Sequence, residues 1–102
     1  MIRHIVFFSA RDPADLPVIE AGLKRLETIG AADRLEVRRN LGRDDLGNTV
    51  DLVVYGEFAD AAALAAYKAD PLYAEAIAIV RPLRELRVAA DVETEAVAPR
   101  LE

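Results

Sequence analysis

Apolar and polar positions change their period several times along the chain, and each change marks an element. From Ile2 to Phe8, side chains alternate as along a strand, with Ile2, His4, Val6 and Phe8 on one side and Arg3, Ile5 and Phe7 on the other. Both sides are largely apolar, which predicts a strand covered on both faces. Asp12-Pro13 then supplies a helix cap and a proline at the first helical position. Leu16, Ile19, Leu23 and Leu26 follow at helical spacing, and Gly30 is the natural stop. Leu35 to Leu41 alternates again, Gly42 to Asn48 reads as a hairpin loop, and Thr49 to Phe58 is the strongest strand pattern in the chain.

Asp60 caps a second helix in which Leu64 and Tyr67 share a face among small alanines. Asp70-Pro71 repeats the cap-plus-proline signal, so this helix breaks and restarts, with Tyr73, Ile77 and Val80 on one side, and Pro82 ends it. In the last strand Leu86, Val88, Ala90 and Val92 alternate with Arg87, Ala89, Asp91 and Glu93. Strand, helix, strand, strand, helix, strand is the split arrangement of ferredoxin-like α+β domains, βαββαβ. Right-handed crossovers then place both helices on one face of a four-stranded antiparallel sheet. The opposite face carries Arg3, Ile5, Phe7, Val53 and Tyr55, and so apolar a face on a small domain marks a partner surface.

Composition narrows the partners. A chain of 102 residues buries about 65% of its surface on folding, enough for one core and not two. We therefore expect a single domain over residues 1–95 and a polar tail over 96–102, with Leu101-Glu102 reading as a cloning remnant. Thirteen Lys and Arg against eighteen Asp and Glu leave a net charge of −5, which argues against nucleic acid, where affinity comes from neutralising phosphates. Arg38-Arg39 and the Arg81, Arg84, Arg87 group are local exceptions that fit either an anion or ordinary solvated faces. The absence of cysteine excludes disulfides, thiolate catalysis and cysteine-ligated metals, and is compatible with the cytoplasm as the expected location. Only Ile5 to Phe8 are continuously apolar before Ser9, too short for an export signal, and no run approaches the roughly 20 residues that span a bilayer, so no membrane partner is expected.

At this level the chain resembles the stress-responsive α/β-barrel (Dabb) family. The resemblance rests on Met-Ile-x-His-Ile-Val-x-Phe at Met1 to Phe8, the Arg39-Asn40 pair, Asp51-Leu-Val-Val before Glu57-Phe58, Leu64-x-x-Tyr67-x-x-x-Pro71, and the closing Ala90-Asp91-Val92-Glu93. It implies a homodimer in which two sheets pack face to face into a barrel with the helices outside, burying the Ile5, Phe7 and Val53 side. The family belongs to a wider dimeric α/β-barrel group of polyketide cyclases, small monooxygenases and heme-degrading proteins, and many members have no established reaction.

Candidate chemistry centres on His4, the sole histidine, phased toward the helix-covered side. An imidazole there serves either as a general base or as a core residue satisfied by one hydrogen bond. Tyr67 and Tyr73 point across the same space, either as hydrogen-bond donors or as amphipathic packing. The resemblance implies, for the cyclase branch, a first-strand histidine, a helix tyrosine and a second histidine shortly after the proline. His4 and Tyr67 match the first two, and Tyr73 stands in place of the third. Val6 and Phe8 from the strand, Leu23 from the first helix and Ile77 from the second are the expected apolar ligand contacts. No cofactor or metal is expected: one histidine with scattered carboxylates gives no ligand spacing, and Gly42 and Gly47 make no phosphate-binding pattern. Ser9, the only serine, lies at a strand end rather than on a nucleophile elbow, and Tyr55 stands nearly alone as a sheet aromatic, unlike the RNA-binding version of this topology. Two classes of function follow. One is a dimeric module holding a small apolar ligand; the other is a cyclase-like enzyme with His4 as base.

Overall fold

The computed structural model describes residues 1–95; the expected tail over 96–102, with Leu101-Glu102, lies outside them. Four strands, β1 (Ile2–Ala10), β2 (Arg34–Arg39), β3 (Leu52–Phe58) and β4 (Arg84–Glu93), form one antiparallel sheet in the order β2-β3-β1-β4. Helices α1 (Leu16–Lys24), α2 (Ala61–Ala69) and α3 (Pro71–Val80) complete the ferredoxin-like α+β fold, with the helical segment broken in two at Asp70 as its sequence predicts.

Aspartates start the helical segments. The Ala14 amide donates to Asp12, the Ala63 amide to Asp60 and the Leu72 amide to Asp70, at 2.8–2.9 Å, each satisfying a donor that the first turn leaves free. Asp70 is extended at ψ 137, and Pro71 resumes the helix behind it. The first helix departs from the uninterrupted pattern expected of it. Pro13–Asp15 wind as a 3-10 turn before α1, and Arg25–Thr28 wind as another after it. Pro17 has no N–H to bond back to residue 13, so the segment enters α-geometry only from Leu16 onward.

The loop between β2 and β3 is longer than Gly42 to Asn48. Leu41, Thr49 and Val50 belong to it: the ladder ends at Arg39 and Leu52, and beyond it the Asn40 amide donates to the Asp51 carbonyl at 2.9 Å while side chains close the rest of the base. Asn40 donates to the Val50 carbonyl at 2.7 Å, and Asp51 accepts from the Ala10 amide at 2.8 Å. Gly42 supplies the left-handed residue, φ 68. On the edge strand β2 the Val37 amide donates to Glu27 at 2.9 Å, and Arg39 forms a two-pronged pair with Glu20, fastening the strand to the helical layer. That guanidinium holds the Glu20 carboxyl below its usual range.

The core lies between sheet and helices, around Val6, Phe8, Ile19, Leu23, Val37, Leu52, Val54, Phe58 and Tyr67. Close approach fixes two glycines in it. A Cβ on Gly22 would meet Ile79 Cγ2 at 2.8 Å, which allows α1 to press on α3. A Cβ on Gly56 would meet Phe58 Cε2 at 2.7 Å and Leu35 Cδ1 at 3.2 Å. Gly56→Ala is expected to displace the Phe58 ring and lower stability by about 1–3 kcal/mol, the usual cost of overpacking. Urea unfolding measures this, and an unchanged midpoint would mean that the ring yields freely.

The open face reads as three rows across the strands. Arg38, Val53, Phe7 and Val88 form one, Glu36, Tyr55, Ile5 and Ala90 the next, and Arg34, Glu57, Arg3 and Val92 the third. Apolar side chains dominate the β1 and β4 half and charges the β2 half. Phe7 is 37% exposed, and Val88 and Val92 are each 49% exposed.

Candidate functional site

On the covered face, the register sets His4 between Gly56 of β3 and Asp91 of β4. The Phe58 ring occupies the space that Gly56 leaves over the sheet, and Phe58 and Tyr67 meet the imidazole edge-on, with ring centroids 6.2 and 6.1 Å from that of His4. Tyr67 in turn packs against Phe58 at 5.0 Å and against Tyr73 at 5.2 Å across the helix break. Such edge-to-face geometry locks ring orientation as well as burying area.

The His4 Nδ1 lies 2.5 Å from Asp91 Oδ1. The histidine is 2% exposed while the aspartate side chain is 43% exposed, so a buried ring is tied to a half-solvated carboxylate. With Nδ1 engaged, Nε2 is the free nitrogen. No buried side-chain nitrogen or oxygen lacks a partner among the described residues. His4 Nε2 and the Tyr67 hydroxyl, which bond to no protein group among the described residues, therefore face open space.

That space is a pocket of about 210 Å³ between β1, α1, α3 and β4. His4, Tyr67 and Tyr73 all line it, and so do the four apolar residues Val6, Phe8, Leu23 and Ile77. Leu26, Val54, Ala76 and Val80 complete the apolar wall, and Arg81, Arg84 and Arg87 stand at the mouth. The mouth exists because the helices cover β1 and β3 but leave Arg87, Ala89 and Asp91 of β4 exposed. Burial, reinforced by the neighbouring Tyr73, pushes the Tyr67 phenol well above its ordinary value, against a smaller opposing effect of Arg87. Tyr67 is thus a neutral O–H donor at physiological pH and no base.

Asp91 is the residue that sequence reasoning missed. Its strand phase groups it with Arg87, Ala89 and Glu93, and only the β1–β4 register brings it opposite His4. Ser9 has a structural part: its hydroxyl accepts the Leu86 amide at 3.1 Å, where the β1–β4 register shifts. Among the described residues no group of His, Asp and Glu is arranged to hold a metal, and no helix is long and apolar enough to cross a membrane.

Solved structures share the fold. A dimeric ferredoxin-like protein of unknown function from Thermobifida fusca is 27% identical, with TM-score 0.77 over 91% of this chain and 90% of that one. A Dabb family protein with a ferredoxin-like fold from Mesorhizobium loti is 22% identical, with TM-score 0.73 over 93% and 97%. A dimeric ferredoxin-like protein of unknown function from Jannaschia is 16% identical, with TM-score 0.80 over 91% and 98%. No curated protein matches the chain at a significant level. Residues 2–94, nearly the whole described chain, match the stress responsive A/B barrel domain, and the protein belongs to that family.

Proposed function

We propose that two copies of the chain join through the open sheet face into an α/β barrel, and that each copy binds a small, mainly apolar ligand between its sheet and helices. The pocket carries the reading: one cavity is reached at once by the apolar wall, the His4 ring and both tyrosines. A core histidine with no ligand role would sit in filled space, whereas this one keeps a nitrogen open to the pocket. Similar structures described as dimers support the assembly. In this reading residues 1–95 are the single working unit, and the cytoplasm is its location.

The His4–Asp91 pair favours a second step, proton transfer on the bound ligand. His4 Nε2 takes a proton from the carbon beside a ligand carbonyl, the electron pair of that C–H bond forms a carbon–carbon double bond, and the carbonyl π pair moves onto the oxygen. Tyr67 or Tyr73 donates a hydrogen bond to the resulting enolate. Asp91 holds the Nδ1 proton and stabilises the imidazolium. Asp91 thereby offers the support that a second histidine would give the first, so Tyr73 in that histidine's place does not disarm the site.

Ligand capture is tested by an NMR titration with 4-propylphenol, a neutral compound small enough for the cavity. Shifts are expected at the His4, Tyr67 and Ala76 resonances, and Ile77→Phe, which fills the wall, should weaken binding at least tenfold. Binding unaffected by Ile77→Phe, or shifts confined to the open sheet face, would overturn the assignment of this pocket.

A further inference from the structure

The pocket mouth holds an unbalanced charge. In a chain with a net charge of −5, Arg81 behind α3 and Arg84 and Arg87 on β4 converge there. Arg11, Arg25, Arg34, Arg38 and Arg39 each meet a carboxylate, but none of the three mouth arginines has an ion-pair partner among the described residues. Glu85, between two of them in sequence, is turned to Arg11 instead. Asp91, on the same face of β4, is committed to His4. Burial and the charges of Arg87 and Arg81 push the Arg84 guanidinium below its ordinary value, so the cluster strains against itself. Groups held together at a cost to stability are what a binding site for the opposite charge requires.

The arrangement is polarised from end to end. Arg87 sits opposite Phe8 and Asp91 opposite His4, so β4 presents a cation at the mouth and an anion behind the imidazole. Between them lie aliphatic and aromatic walls. A ligand with its negative group inward would lie against His4, behind which stands the Asp91 carboxylate, and one with it outward would meet three guanidiniums. The volume of about 210 Å³ is below the roughly 300 Å³ at which pockets for drug-sized ligands begin.

We propose that this pocket selects a small amphipathic carboxylate, one ring or a short chain in size, with its headgroup on Arg81, Arg84 and Arg87 and its body extending to His4. The inference rests on the reading of the cavity as a ligand site and names the ligand's class. Guanidinium forks suit a carboxylate because two parallel N–H groups meet its two oxygens.

Calorimetric titration of the intact protein with 4-propylbenzoate and its neutral counterpart 4-propylbenzyl alcohol separates the two claims. The acid is expected to bind at least about tenfold more tightly at low ionic strength, as for a charged hydrogen bond, with the advantage shrinking as salt rises. In Arg84→Gln/Arg87→Gln the preference should fall below about threefold. A melting temperature equal to or above the parent's shows that this variant is folded, as relief of like-charge repulsion predicts. Equal binding of acid and alcohol overturns the carboxylate inference and leaves the ligand pocket standing. An acid preference that survives in the double variant overturns the arginine assignment, and binding of neither compound overturns both readings.

Discussion

Phe7→Lys is expected to yield a monomer where the unmodified protein forms a dimer. Phe7 occupies the middle strand of the sheet's apolar half, flanked by Val53 and Val88 in one row. Phe7 and Val88 are exposed and Val53 is partly exposed in a single copy, so the face as it stands presents connected apolar surface to water. A two-fold contact repeats every residue, and one substitution therefore places two lysines in the interface. An ammonium left unpaired in a dry contact costs about 3–5 kcal/mol. Here Arg38, at the end of the same row, adds repulsion. Val53→Lys should act similarly, whereas Val18→Lys, on the exposed side of α1 away from the sheet, should leave the dimer intact. Light scattering at micromolar concentration reads the outcome. A stable monomer for the unmodified protein, or a Phe7→Lys variant that still dimerises, removes the face-to-face barrel from the account.

The sheet's two faces were legible because β1 alternates without interruption. His4, Val6 and Phe8 are buried, and Arg3 and Phe7 are exposed, as their phase predicts. The helix break at Asp70-Pro71 was equally legible, since capping and proline chemistry act within a few residues. What local pattern misjudged was the extent of elements whose limits depend on distant groups. Thr49 and Val50 carry strand propensity, yet Asn40 and Asp51 close the loop at its base through bonds to Val50 and Ala10. Pro17 hides inside a helical pattern because apolar spacing does not register a missing N–H.

The site divides in the same way. That His4, Tyr67 and Tyr73 share one space follows from strand phase and helix spacing, which are local. That Asp91 meets His4 follows from pairing between the first and last strands, residues 87 apart in the chain. Alternation placed Asp91 on a face without saying which residue stood opposite it. Nor does a pattern of apolar positions reveal a cavity, because a void depends on how far α3 stands from β4. The three mouth arginines were visible as a cluster, but their lack of carboxylate partners is a property of the folded chain.

His4→Gln and Asp91→Asn should separate packing from proton transfer. A positioned general base contributes about 10²–10⁴-fold to rate. The effect can be measured without a natural substrate, as deuterium exchange beside the carbonyls of 1-phenylbutane-1,3-dione in heavy water. The unmodified protein should accelerate exchange above buffer, and His4→Gln, which keeps most of the volume, should abolish the acceleration. His4→Ala should do the same while also costing about 1–3 kcal/mol of stability, because it withdraws a ring from the cluster with Phe58 and Tyr67 and leaves a void. Asp91→Asn retains the shape but releases the ring to either tautomer, and an outer partner of this kind typically contributes about 10–100-fold. Its half-exposed position means that the loss should appear in the rate with little change in the unfolding midpoint. Exchange that proceeds equally in the unmodified protein and in His4→Gln would confine the imidazole to packing and leave the pocket as a binding site alone. Loss with His4→Gln but none with Asp91→Asn would keep the base and deny the carboxylate its role in orienting it.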